Sequence, residues 1–220
     1  MRHLPSGIVT FLFTDVEGST RLLEELGARY RDVQARHDAI LRAAITEGEG
    51  CEVSTEGDSF FAVFSTPSGA VRAAVQAQRE LTKTAWPEGV AMRVRMGLHT
   101  GEGILGGDNY LGMDVNRAAR IAGAGHGGQV LLSKATVSLV ERNLPAATRL
   151  RDLGEHRLKD LTAPERLTRW RSRGWSRTSP RPAVSMPGAA ICRPSSPPSS
   201  GGPRRSSARA SFWTATVWSP

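Results

Sequence analysis

Cysteine is nearly absent from this 220-residue chain: Cys51 and Cys192 stand alone and far apart. With no CxxC pair and no Cys/His cluster, a disulfide scaffold and a structural zinc site are disfavoured. Long apolar runs are missing too. The stretch Ile8 to Phe13 is too short to span a bilayer, is ended by Asp15, and shows no small-residue cleavage pattern. A soluble cytoplasmic protein with no membrane partner is the expectation. Residues 171–220 lack lysine and every acidic residue, yet hold eight arginines and eight of the 13 prolines. Without those arginines, residues 1–170 carry 21 basic and 21 acidic side chains, so the net charge of +8 belongs to the tail. This distribution argues against a globally basic nucleic-acid-binding domain.

What remains is one domain, 1–170, of ordinary length for a single core. The Arg/Pro/Ser-rich segment 171–220 has no helical or strand period and too little apolar surface to offset ordering entropy, so it is expected to be disordered. Its stray Trp175, Trp213 and Trp218 are odd for a linker, and with the Arg-Pro-Ser-Ala-Gly composition they give it the look of GC-rich DNA read out of frame.

Within the domain, Ile8 to Phe13 reads as a strand buried on both faces. Leu22 through Ala44 recur at helical spacing, with Ser19 or Thr20 as N-cap and Gly48 and Gly50 at the end. Cys51–Thr55 and Phe60–Ser65 read as a hairpin turning at Gly57. Pro67 begins a second helix, Met92–Thr100 alternates as a strand, and Gly101–Gly107 reads as a glycine-rich connection. A helix over Val115–Ala124, a strand at Gln129–Leu132, a helix near Ala135–Glu141 and two weaker strands, Arg149–Leu158 and Leu167–Trp170, complete the order. The predicted class is α+β: a ferredoxin-like βαββαβ core with an antiparallel sheet, helices on one face, and C-terminal α/β additions.

In that topology the first strand and the second arm of the hairpin are neighbours. Asp15, just past the first strand, and Asp58, in the hairpin turn, can therefore reach one spot. Paired carboxylates at strand ends beside glycine-rich backbone suit hard cations that also touch phosphate oxygens. Gly18-Ser19-Thr20 at a helix start adds backbone N–H groups for an anion. Taken singly, Asp15 reads as a helix cap and Asp58 as a turn residue.

Together the spellings are specific. Val9-Thr10-Phe11-Leu12-Phe13-Thr14-Asp15-Val16-Glu17-Gly18-Ser19-Thr20 and Glu56-Gly57-Asp58-Ser59-Phe60-Phe61-Ala62-Val63-Phe64 resemble the two metal-carboxylate blocks of class III adenylate/guanylate cyclase homology domains. Arg95-Met96-Gly97-Leu98-His99-Thr100-Gly101, Gly112 to Ile121 and Leu153 to Leu161 resemble three further blocks, in the family's order, over roughly residues 7–170.

The resemblance implies a homodimer with two shared sites. It assigns Asp15, Asp58 and the Val16 carbonyl to two divalent ions, Mg²⁺ or Mn²⁺. Asn116 would position the ribose and Arg120 would stabilise charge on the α-phosphate; four apart, they share a helical face. Lys159 matches a lysine that contacts the outer phosphates in relatives, though it reads almost as well as a solvated strand-end lysine. Adenylate-specific members carry Lys and Asp where this chain has Ser54 and Asn109. These neutral residues can bond a purine edge but lack the charges that enforce adenine. The implied activity is cyclisation of ATP, or less readily GTP, to a 3′,5′-cyclic nucleotide and pyrophosphate in intracellular signalling. The alternative is a weakly active or inactive nucleotide-sensing or dimerisation module derived from a larger ATPase-containing transcriptional regulator. His99 and His37 read as packed histidines, and no Walker-type loop follows the glycines.

Overall fold

The structure, a computed structural model, describes residues 4–144 and 148–172. The expected tail lies outside the described residues except for Arg171 and Ser172, which end the last strand.

The apolar run near the N-terminus becomes β1 (Gly7–Val16), flanked antiparallel by β3 (Ser59–Phe64) and β4 (Val94–Gly106). With β2 (Gly50–Glu56) outside β3, the order β2-β3-β1-β4 is that of the expected ferredoxin-like core. Beyond β4 the sheet continues through β6 (Val130–Ser133), β8 (Glu165–Ser172) and β7 (Thr148–His156). β6 runs parallel to β4, as a helical crossover permits.

Alternation along β1 explains why its apolar residues fall at both odd and even positions. Leu12 and Val16 face one core, with Leu41 and Ala44 of α2 (Tyr30–Glu47) and Ala70 and Ala74 of α3 (Pro67–Lys83). Val9 and Phe11 face the other, with Phe61, Tyr110 and Ala118. Both faces are covered, so each set of positions carries core residues, and the buried Thr10 and Thr14 are satisfied by Thr100 Oγ1 and the Phe60 N–H. Burying a side chain such as Phe11 contributes about 1.5–3 kcal/mol. The second core lies under α4 (Met113–Gly123), which crosses the face opposite α2 and α3. A short α5 (Lys134–Val140) follows β6. No described helix is long and apolar enough to cross a membrane.

Three local expectations are corrected. The first helix is two: α1 (Ser19–Leu26) ends at Gly27, whose φ of 53° favours glycine, and a 3-10 turn, Gly27–Arg29, leads into α2. The apolar period persisted through the break because Leu22 and Val33 enter the same core. Neither Ser19 nor Thr20 is the N-cap. Gly18 takes that place at φ 75°, a left-handed conformation that disfavours residues with a side chain, and no side-chain cap bond forms. Finally, the glycine-rich connection is a strand. β4 continues to Gly106 and returns as β5 (Asn109–Leu111). Its glycines allow close approach: a Cβ at Gly101 would lie 2.3 Å from Asp114 Oδ2, and one at Gly103 2.7 Å from Val9.

Candidate functional site

Asp15 shares the parity of Phe11 and Phe13, so it points to the α4 side of the sheet where β1 leaves it. Ser59 Oγ, opening β3, donates to Asp15 Oδ1 at 2.8 Å. The Val16 N–H donates to Asp58 Oδ2 at 3.0 Å. Each carboxylate is thus held by the residue next to the other, and the β2–β3 turn is pinned to the end of β1. Tyr30, at the start of α2, feels the same charges: burial, then Asp58, Asp38 and Asp15, push its hydroxyl above the usual phenol range.

Two carboxylates beside the main chain of Val16 form an all-oxygen set suited to a hard divalent cation such as Mg²⁺ or Mn²⁺. Among the described residues, no group of three His, Cys, Asp or Glu makes a side-chain-only metal centre. The fit therefore depends on these two acids, a backbone carbonyl and oxygens from a ligand. Arg95, directly opposite Asp15 on β4, was not singled out from the sequence. Its Nε donates to Asp15 Oδ2 at 2.7 Å and its Nη2 reaches the same oxygen. Local pattern gave no signal for that register, because the strands lie some eighty residues apart.

The remaining candidates occupy the α4 side or its rim. Ser54 lies opposite Phe61 only because β2 bulges between Glu52 and Ser54. The extra residue, Val53, brings Ser54 to the Phe61 face; an unbroken ladder would have paired it with Phe60 on the other side. Asn109 opens β5, and its Oδ1 accepts from the Tyr110 N–H at 2.7 Å. The Tyr110 ring lies edge-on to Phe11 and Phe61, at 5.3 and 6.1 Å, which folds β5 back over this face.

Asn116 and Arg120 lie on the exposed side of α4, whose Ala118, Ile121 and Ala122 are buried. Arg120 Nη2 meets Asp160 Oδ2 at 2.6 Å, beside the exposed Lys159. Among the described residues, no hydrogen bond or ion pair joins Asn116 or Arg120 to Asp15 or Asp58. One chain thus presents two separate hydrogen-bonded groups: the carboxylates at the end of β1, and Arg120 of α4 with Asp160.

α4 is fixed by a buried polar chain. His99 Nδ1 pairs with Ser133 Oγ at 2.9 Å and Nε2 with Asp114 Oδ1 at 3.2 Å, so this histidine packs as expected. Asp114 also accepts from the Glu102 N–H at 2.8 Å and pairs with Arg117 at 2.8 Å. Burial pushes the Asp114 carboxyl up, but these donors outweigh it and hold it below the usual range. Burial depresses His99, and also His37, which packs edge-on against Phe60 with Nδ1 on Asp38.

A family model described as the adenylate and guanylate cyclase catalytic domain matches residues 1–170. An uncharacterized protein of Mycobacterium tuberculosis is 42% identical over 163 residues, covering 73% of this chain and 55% of that protein. An adenylate cyclase of Lachancea kluyveri is 34% identical over 154 residues, covering 59% of this chain but 8% of the fungal protein. Among solved structures, an adenylate cyclase of Trypanosoma brucei in its monomeric state superposes with a TM-score of 0.68 at 27% identity, covering 77% of this chain and 91% of that one. The chain spans about half the length of the mycobacterial relative.

Proposed function

Because the chain belongs to the adenylate and guanylate cyclase catalytic domain family, we propose that it is a purine nucleotide cyclase. Its substrate is ATP, with GTP the less favoured alternative, and its products are a 3′,5′-cyclic nucleotide and pyrophosphate. The reading rests above all on the reciprocal anchoring of Asp15 and Asp58 at the end of β1.

Mg²⁺ or Mn²⁺ held by Asp15, Asp58 and the Val16 carbonyl would lower the pKa of the ribose 3′-hydroxyl and neutralise charge on the polyphosphate. The 3′ oxygen bonds the α-phosphorus as the bond to pyrophosphate breaks, and the hydroxyl proton passes to solvent water or to the departing pyrophosphate. Ser59 and the Val16 N–H keep the two carboxylates aimed. Arg120 supplies positive charge to the α-phosphate oxygens, and Asn116, one turn earlier, orients the ribose. The first-turn N–H groups of α1 and Lys159 face the outer phosphates. Ser54 and Asn109 read the purine edge through neutral hydrogen bonds, which gives weaker base discrimination than a Lys/Asp pair.

Among the described residues no hydrogen bond or ion pair joins Asn116 or Arg120 to Asp15 or Asp58, which is consistent with a homodimer in which each site draws its carboxylates from one copy and Asn116 and Arg120 from the other. The β4–β5 hairpin offers an apolar surface for it: Ile104, Leu105, Leu111 and the neighbouring Met113 are 42–58% exposed. We place the protein in the cytoplasm. The alternative, a nucleotide-sensing or dimerisation module with little turnover, is favoured by Ser54 and Asn109.

The test is chromatographic detection of cyclic nucleotide from ATP or GTP with Mn²⁺, beside an Asp58→Ala protein. The proposal expects product, more from ATP, and none with the variant. Absence of product above the variant, at concentrations where the protein is dimeric, favours the module.

A further inference from the structure

The two carboxylates are not equivalent. Asp58 accepts the Val16 N–H and forms no ion pair among the described residues. Asp15 has both oxygens engaged: Oδ1 by Ser59, and Oδ2 by two nitrogens of one guanidinium. The Arg95 fork on a single carboxylate oxygen sits where a divalent cation would need that oxygen. This pairing is built into the fold, because Asp15 and Arg95 are directly opposite in the β1–β4 ladder and so share a face. It is also open to exchange, since the Arg95 and Asp15 side chains are 33% and 27% exposed.

We propose that Arg95 is a displaceable counter-ion that couples cation binding to polyphosphate binding. Without nucleotide, Arg95 occupies Asp15 and its charge opposes a dication. When a nucleoside triphosphate enters, its phosphate oxygens give the guanidinium a new partner, for which the planar fork is suited. Asp15 is then released to the cation. Each ligand takes one half of the ion pair, so each favours the other, and the coupling is reciprocal. The consequence is that free cation alone does not assemble the site; the cation and the polyphosphate assemble it together.

The inference rests on the assignment of Asp15 and Asp58 as cation ligands, and its test separates the two. Mn²⁺ alone is titrated into the full-length protein by electron paramagnetic resonance, which counts free Mn²⁺ and needs no turnover. The wild type is expected to bind weakly. Arg95→Gln should tighten binding roughly tenfold, the scale of losing one close ion pair and its repulsion of a dication. Adding Asp15→Asn to it should abolish that gain. Arg95→Lys, which keeps the charge but loses the fork, should fall between and guards against a folding defect in the first variant. At saturating Mn²⁺, Arg95→Gln should also raise the KM for nucleotide. Unchanged or weaker Mn²⁺ binding in Arg95→Gln, with binding still lost in Asp15→Asn and Asp58→Ala, overturns the counter-ion role alone. Mn²⁺ binding indifferent to Asp15→Asn and Asp58→Ala overturns the cation-ligand assignment itself.

Discussion

Adding one methyl group at Gly97 should damage this protein twice, in stability and in turnover. Gly97 lies on β4 where α4 crosses most closely. A Cβ there would fall 2.2 Å from the Ala122 nitrogen and 2.6 Å from its Cα. Contacts to carbon normally settle near 3.5 Å, so α4 must retreat by about 1 Å. The obstacle is helix backbone, which cannot rotate aside as a side chain can. Overpacking of this kind costs about 1–3 kcal/mol. Asn116 and Arg120 ride on the same helix, and a displacement near 1 Å can cost on the order of 100-fold in rate. The control is Gly123→Ala, one residue beyond Ala122, where a Cβ meets nothing within 4 Å. At that position the same substitution should be neutral or stabilising by a few tenths of a kcal/mol to about 1 kcal/mol. Urea denaturation and initial rates of cyclic nucleotide formation, measured on both variants, give the comparison. Wild-type stability and rate in Gly97→Ala would refute the claim that backbone contact positions α4.

Stability should also fall as pH drops below neutrality. His37 and His99 are held below the usual imidazole range by burial, so below about pH 6.5 the unfolded chain takes up protons that the folded chain resists. The loss grows from there down to the folded-state pKa values. The urea midpoint should decline between pH 7.5 and 5.5 (roughly the window set by the free imidazole), and less so in His37→Gln/His99→Gln; a midpoint that holds or rises contradicts the assignment. Ile104→Glu/Leu105→Glu, on the exposed hairpin, should shift sedimentation toward monomer while leaving the melting temperature nearly unchanged. A dimer that survives this change places the interface elsewhere.

The legible parts of this protein were those whose signal is local or topological. β1 announced itself because both its faces are buried, and the hairpin order sufficed to place Asp58 beside the end of β1. Spacing alone put Asn116 and Arg120 on one side of a helix. The rest depends on events that pattern does not encode. Gly27 breaks a helix whose apolar period runs on undisturbed, because both pieces feed one core. The glycines of β4 looked like a loop because a close approach and a turn select the same residue. A one-residue bulge at Val53 decides which face Ser54 occupies, and the register of β1 against β4 decides that Arg95 meets Asp15.

The most direct test of the account is complementation between half-sites. Asp15→Asn/Asp58→Ala protein lacks the carboxylates, and Asn116→Ala/Arg120→Ala protein lacks the residues on α4; each should be inactive alone. If sites form between copies, mixing the two at equal concentration and allowing exchange leaves half the dimers mixed, each with one intact site, for roughly a quarter of wild-type cyclic nucleotide formation. Activity at background in the exchanged mixture, with the wild type active, would contradict a site shared between two copies.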